Sequence, residues 1–425
     1  ETWAQDDKLK NWAGNLEYST NKIDYATSVE HVQQLVKKYS KLKVLGTKHC
    51  FNTIADTKYN FISLRDMNKV VALDKNAHTV TVEAGMKYGE LCPWLNEQGF
   101  ALHNLASLPH ISVAGAITTA THGSGVKNGN LSTAVDALEI VNANGDVMHL
   151  SKKDGEKFYA AVVGLGAIGV ITKVTLNIQP AFEMRQYVYE YLPLQNLKEH
   201  FDAIVSAGYS VSLFTDWQNE SINEVWIKSR TDDVKNATAM PDFFGAIPAT
   251  KNLHPIKELD PVNCTDQMGV PGPWYERMPH FKMGFTPSSG KELQAEYFVP
   301  YDHAFEAIMA IQRMGKQISP HLFISEIRTI DADDLWLSPC YKQKSVTIHF
   351  TWKQEWDAVS KLLPDIEKEL APFNAKPHWG KLFTMSPAAL QSRYKKMPEF
   401  KKMVADYDPK QKFRNEFLEK NVFGA

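Results

Sequence analysis

The stretch Val44-Leu-Gly46-Thr47-Lys48-His49-Cys50-Phe51-Asn52 decides how this chain is read. A short strand stops at a glycine and runs into small and polar residues, which leaves consecutive backbone N–H groups free to form an anion-binding nest for a phosphate. Taken alone, the segment reads first as an ordinary strand-to-loop turn. A second segment changes the balance: Ser107-Leu-Pro-His-Ile-Ser112-Val-Ala-Gly115-Ala116, continuing through Thr118-Thr119-Ala120-Thr121-His122-Gly123-Ser124-Gly125. Its small residues are too dense for a packed helix and suit backbone that approaches a ligand closely. Two such loops in one half of a chain fit a large cofactor with a diphosphate and a flat ring.

Around these loops the first 180 residues alternate α and β elements. Thr27-x-x-Glu30 predicts a capping box that opens an amphipathic helix with Val29, Val32, Leu35, Val36 and Tyr39 on its apolar side. Thr79 to Glu83 alternates as a strand and leads through Gly85 into a helix from Tyr88 to Gln98, ended by Gly99. Leu138 to Asn142, the Asn144-Gly145 turn and Val147 to Leu150 read as a hairpin, and Val170 to Leu176 as a β-branched strand. Beyond Pro180 the strands lengthen: Gln186 to Leu192, Glu224 to Lys228, His321 to Ile330 and Ser345 to Trp352. They alternate with helices Leu197 to Ala207, His303 to Met314 and Trp356 to Leu370, the pattern of an α+β substrate domain.

Two of these strands carry polar faces. Glu326 and Arg328 are two residues apart and point the same way on a strand, as do Thr347, His349 and Thr351 on the next. They read as one pocket roof, or else as faces that are simply solvated, since an antiparallel sheet commonly has one wet side.

A chain of 425 residues exceeds the usual single-domain length, so two domains are expected. Hydrophobic residues at 44% and charged residues at 23% exclude disorder, and a net charge of -2 offers no broad basic surface for nucleic acid or an anionic membrane. The longest charge-poor apolar stretch, Phe158 to Thr172, is too short and too rich in glycine to span a bilayer. Cys50, Cys92, Cys264 and Cys340 are read as reduced, unlinked thiols. Glu1-Thr2-Trp3-Ala4 has neither an initiator Met nor a signal sequence. The expectation is a trimmed start, a cytoplasmic protein and a monomer.

A literal dinucleotide fingerprint, Gly164-Leu-Gly166-Ala-Ile-Gly169, is rejected because helical sequence precedes it and a strand follows, the reverse of the order pyrophosphate binding needs. His103, His110 and His122 match no compact zinc spacing and are read as polar loop histidines; no metal is expected.

At these residues the chain resembles the vanillyl-alcohol oxidase family of FAD-linked oxidases. Its first half, through Gly169-Val170-Ile171, is similar to that family's FAD-binding half; His378-Trp379-Gly380-Lys381 and Asp408-Pro-x-x-x-Phe413-x-Asn415 are similar to its aldonolactone and alditol oxidase branch, and Gly46 to Asn52 with Ser107 to Gly115 most resemble bacterial alditol oxidases. The resemblance implies an FAD-binding domain over 1–180, a substrate (cap) domain over 181–400 and a tail, 401–425, packed back on the first. It implies FAD attached covalently through His49, with Val44, Leu45, Gly46, Thr47, Lys48 and Cys50 around the diphosphate and Ser107, Ser112, Gly115, Thr118, Thr119, Ala120, Thr121, Val170 and Ile171 lining the cofactor. Cys50 stands where relatives usually have Ser, which weakens a hydroxyl contact to a thiol one.

It further implies Ser107, Glu326, Arg328, Thr351, His378 and Lys381 around a polyol, with O2 as electron acceptor. His349 and Glu326 compete for the role of base, while Arg328 and Lys381 stabilise developing charge. The alternatives are an aldonolactone oxidase or dehydrogenase and a sugar-binding protein without catalysis.

Overall fold

The computed structural model describes residues 8–236, 238–285 and 290–424; Glu1-Thr2-Trp3-Ala4 lies outside them. In the first half, the parallel strands Ile23–Tyr25, Phe61–Ser63 and Lys43–Leu45 form a small sheet with Phe61–Ser63 in the middle. A five-stranded antiparallel sheet follows, its centre the strand Val170–Asn177, flanked by Thr79–Glu83 and Val135–Val141. Val170–Asn177 alternates buried and half-buried along its length, so one face packs inward and the other faces the cavity side or solvent.

The first helix, Val29–Lys38, buries Val32, Leu35 and Val36 as its periodicity predicts. Its cap is one residue later than predicted: Ser28, not Thr27, is extended and accepts from His31 N, so Glu30 does not fall at the capping-box position. The predicted hairpin is present with a five-residue connection, Val141 pairing Val147 across Asn142–Asp146 and Gly145 at φ +82°. The small-residue segment differs from its reading in one respect. Val113–Thr118 is helical, capped by Ser112, whose side chain accepts from Gly115 N.

In the second half, one antiparallel sheet runs, in strand order, through Glu183–Pro193, Ser221–Arg230, Ser210–Thr215, Leu322–Ile330, Ser345–Trp352 and Leu293–Pro300. Two of these strands, Ser210–Thr215 and Leu293–Pro300, have no counterpart in the sequence reading, and the predicted helix Leu197 to Ala207 is broken at His200 into Leu194–Glu199 and Phe201–Val205. Tyr297, Ile327, Ile348 and Phe350 share a core with Ile308 and Ile311 of helix Ala304–Gln312 and with Val359, Leu363 and Ile366 of helix Trp356–Leu370. The helices thus cover one face, and alternation sends the polar residues of the same strands to the other.

The chain then returns to the first half. Leu390, Tyr394, Phe400, Val404, Phe417 and Val422 belong to the first half's core, so the segment packed there begins inside the span predicted for the cap. Asp408 is buried and accepts from Lys412 N and Phe413 N, and Asn415 Nδ2 donates to the carbonyls of Ile54 and Asp56 at 2.8 Å each. The Asp408 to Asn415 motif is therefore a clasp between the tail and the loop after His49.

Candidate active site

A cavity of about 640 Å3 runs between the two halves. At one end its walls are Lys43 to Phe51, Ser112, Gly115, Thr118, Thr119, Thr121 and Ile171, together with Gly164, Leu165, Gly166 and Gly169 of the rejected fingerprint. The helix Glu156–Val162 precedes those glycines and Val170–Asn177 follows, so they serve a helix-to-strand turn beside the cavity. Lys48 and Leu165 hold φ at +63° and +55°, strained values for residues with a Cβ, and both line the cavity. Two residues predicted here do not reach it. Ala120 is buried in the core of the first half, and Val170 packs inward with Val32 and Val141, because alternation turns Ile171, not its neighbour, toward the cavity.

His49 is enclosed by aromatic rings. Trp12 stacks on it at 5.2 Å and His110 lies 4.7 Å away, centroid to centroid. Its Nδ1 is 3.0 Å from Thr47 Oγ1, while Nε2 is buried with no protein partner. Burial, reinforced by His110, lowers its pKa to about 3 and leaves a neutral imidazole with a free lone pair. Cys50 is a free thiol pushed up to about 11 by burial, which suits a packing residue and not a redox one. The unpartnered Nε2, the glycine-edged loops and a cavity that continues past them fit a dinucleotide with a flat ring.

The opposite end is built by strand register. Glu326 pairs with His349, and His349 with Glu296, across three adjacent strands; Arg328 pairs with Thr347 one step along. These side chains form a row on the face away from the helices. They are buried, not solvated: Glu326, Arg328 and His349 are each 6–7% exposed. Arg328 Nη2 lies 3.1 Å from Glu296 Oε2 and its Nε 3.6 Å from Glu326 Oε1, while Lys381 Nζ lies 3.0 Å from Glu296 Oε1. Two carboxylates thus face two cations. Ser107, Thr351 and His378 line the same end, with Arg328 Nη1 3.5 Å from Ser107 Oγ.

Burial alone would raise both carboxyl groups, but their cationic and hydrogen-bonding partners prevail. Arg328 and His280 hold Glu326 well below the usual carboxylate range, and His122, Lys381 and Arg328 do the same for Glu296. His349 is pushed well below its ordinary value by burial and then by Lys381, so its ring is neutral.

Sequence reasoning missed Glu296, His280 and His122. Glu296 sits on an unread strand, where Gln294 and Glu296 alternate against Leu293, Ala295 and Tyr297, a period-two signal available in the sequence. His280 Nε2 lies 2.6 Å from Glu326 Oε2. It is presented by a loop that buried Lys228 grips, donating to the carbonyls of Arg277, Met278 and Pro279 at 2.8, 2.9 and 3.0 Å. His122, read as a loop histidine without a carboxylate, is buried 3.0 Å from Glu296 Oε1. Among the described residues there is no cluster of side chains able to hold a metal, and no helix is long and apolar enough to cross a membrane.

Comparison with known proteins bears on the chain as a whole. Residues 21–151 match the family model described as FAD binding domain, and residues 286–421 that of D-arabinono-1,4-lactone oxidase. An alditol oxidase from a Streptomyces species is 43% identical over 96% of this chain and 98% of its own. An L-gulono-1,4-lactone dehydrogenase of Mycobacterium tuberculosis is 26% identical over 96% and 97%, and the L-gulonolactone oxidase of Bos taurus 26% over 97% and 98%. Among solved structures, a solvent-stable cholesterol oxidase superposes with a TM-score of 0.78 over 97% of this chain and 96% of its own, at 15% identity, which supports the fold alone.

Proposed function

Because the chain belongs to the FAD-binding oxidoreductase family of alditol and aldonolactone oxidases, we propose that it is an alditol oxidase. It converts the C1 primary hydroxyl of a xylitol- or sorbitol-like polyol to an aldehyde, and O2 accepts the electrons to give H2O2. The observation that carries this is the buried pair Glu326 and His349 beside Arg328 and Lys381, with Glu296 between the two cations, at the far end of a cavity whose near end holds His49. FAD, when bound, supplies the two-electron acceptor that takes hydride from the substrate carbon.

The protein binds, orients and moves a proton. A polyol offers successive hydroxyls, and a row of buried donors and acceptors rewards the one chain that pairs them all, since each unmet polar group costs about 1 to 3 kcal/mol. His349 Nε2 is 3.0 Å from Gln294 Oε1; that contact assigns the ring proton to Nε2 and leaves Nδ1 as a lone-pair acceptor. We therefore assign the base to neutral His349. Glu326, kept anionic, accepts a substrate hydroxyl proton as a hydrogen bond without removing it. Arg328 and Lys381 stabilise the alkoxide as it develops, as fixed charges do in a water-poor site.

We further propose that His49 is the point of covalent attachment for FAD. Its buried, partnerless Nε2 and neutral ring support this. After acid precipitation the yellow colour is expected in the pellet for the wild type and in the supernatant for H49A. A yellow wild-type supernatant would remove the linkage, and a colourless protein would remove the flavoenzyme reading altogether. The lactone-oxidase model match over 286–421, with the more distant L-gulonolactone-oxidising relatives, keeps L-gulono- or L-galactonolactone as the second reading.

A further inference from the structure

The Glu296 side chain has no solvent exposure, and each of its oxygens meets a different cation. Oε2 faces Arg328 Nη2 at 3.1 Å; Oε1 faces Lys381 Nζ at 3.0 Å and His122 Nε2 at 3.0 Å. The two cations arrive from separate elements, Arg328 from the strand Leu322–Ile330 and Lys381 from the loop after Lys376–Pro377. Among the described residues no other carboxylate ion-pairs with both, since Glu326 meets Arg328 but not Lys381. Two like charges brought this close in a dry site repel unless an anion lies between them. Replacing a buried ion pair by apolar groups is often neutral for stability, so a fully enclosed carboxylate shared by two cations is better explained by geometry than by folding energy.

We propose that Glu296 is a positioning residue whose one carboxylate clasps Arg328 and Lys381 together and fixes both cations against the substrate oxygen. It acts through the two cations rather than on substrate or flavin, and its role in turnover rests on the polyol-oxidase reading above. Lys381 is also faced by Glu292, Glu326, Arg328, His349, His378 and Cys50. Burial already lowers Lys381, with Glu296 opposing that effect, so loss of the anion must lower it further.

Wild type, E296Q and E296D are compared with FAD bound. Glutamine keeps the shape and removes the charge; aspartate keeps the charge at shorter reach. One readout is the pH dependence of kcat and KM for xylitol. The other is the pH at which Lys381 becomes open to reductive methylation by formaldehyde and a borane, read by peptide mass spectrometry. In E296Q both the alkaline limb of kcat and the onset of Lys381 methylation are expected to move to lower pH by about one unit, with kcat down about 30-fold and KM changed less. E296D is expected to move both in the same direction by less than half as much. Superimposable E296Q and wild-type curves, or an E296D shift as large as that of E296Q, would overturn the proposal. Should E296Q not fold, an E296D onset identical to wild type overturns it and a small acid shift supports it. The methylation readout needs no turnover, so a wild type that oxidises no polyol ends the functional reading while leaving the Glu296–Lys381 contact separately measured.

Discussion

Arg328→Met is expected to lower kcat/KM for the polyol by about a thousandfold, the size of loss when a preorganised charge is taken from a water-poor site. The guanidinium touches Glu296, approaches Glu326 and reaches toward Ser107, so its removal takes one of two cations from Glu296, leaves Glu326 to His280 and empties the site of a donor. Stability should fall too, by about 3 to 5 kcal/mol, because an uncompensated buried charge is what makes breaking such pairs costly. Arg328→Lys separates the two effects. It restores a charge but not the fork of donors that reaches several acceptors at once, so the melting temperature should recover largely while activity stays low. Activity of either variant within threefold of wild type would contradict the role given to Arg328.

Trp379→Ala is expected to cost about 3 to 5 kcal/mol of stability, the usual range for emptying a large aromatic site. Trp379 is fully buried, stacks on Tyr394 at 5.0 Å and donates from Nε1 to Leu337 O at 2.8 Å. Asn52 Nδ2 in turn donates to the carbonyls of Trp379 and Lys381 at 2.7 and 2.8 Å, and Phe51 N to that of Gly380 at 2.7 Å. The segment bearing Lys381 is therefore bound directly to the loop bearing His49. Trp379→Ala should weaken flavin retention along with the fold, and the denaturation midpoint and the flavin content after gel filtration measure the two. Trp379→Phe keeps most of the ring volume and should lose about 1 kcal/mol for the missing hydrogen bond. Retained midpoint and flavin in the alanine variant would show that the anchor lies elsewhere.

Legibility in the sequence followed the range of the interactions. Helix Val29–Lys38, strand Thr79–Glu83 and strand Ser345–Trp352 declare themselves by period, and the shared face of Thr347, His349 and Thr351 needs only alternation. The pairing of Glu326 with His349 needs register, which the alternation suggests and only the sheet provides. His280 and His122 lie on loops, and their meaning comes from carboxylates 46 residues away in one case and on a strand of the second half in the other. No local pattern carries that information. The histidines looked unremarkable because their partners are distant in sequence. Glu296 is different, since its strand does alternate; Phe298 breaks the polar run after two residues and blurs the signal.

Anaerobic mixing of the purified yellow protein with substrate, followed at the flavin absorbance, tests the central claim most directly. Rapid bleaching by xylitol or sorbitol is expected, with the colour returning and H2O2 appearing when air is admitted. Bleaching by L-gulono- or L-galactonolactone with no response to either polyol would contradict it.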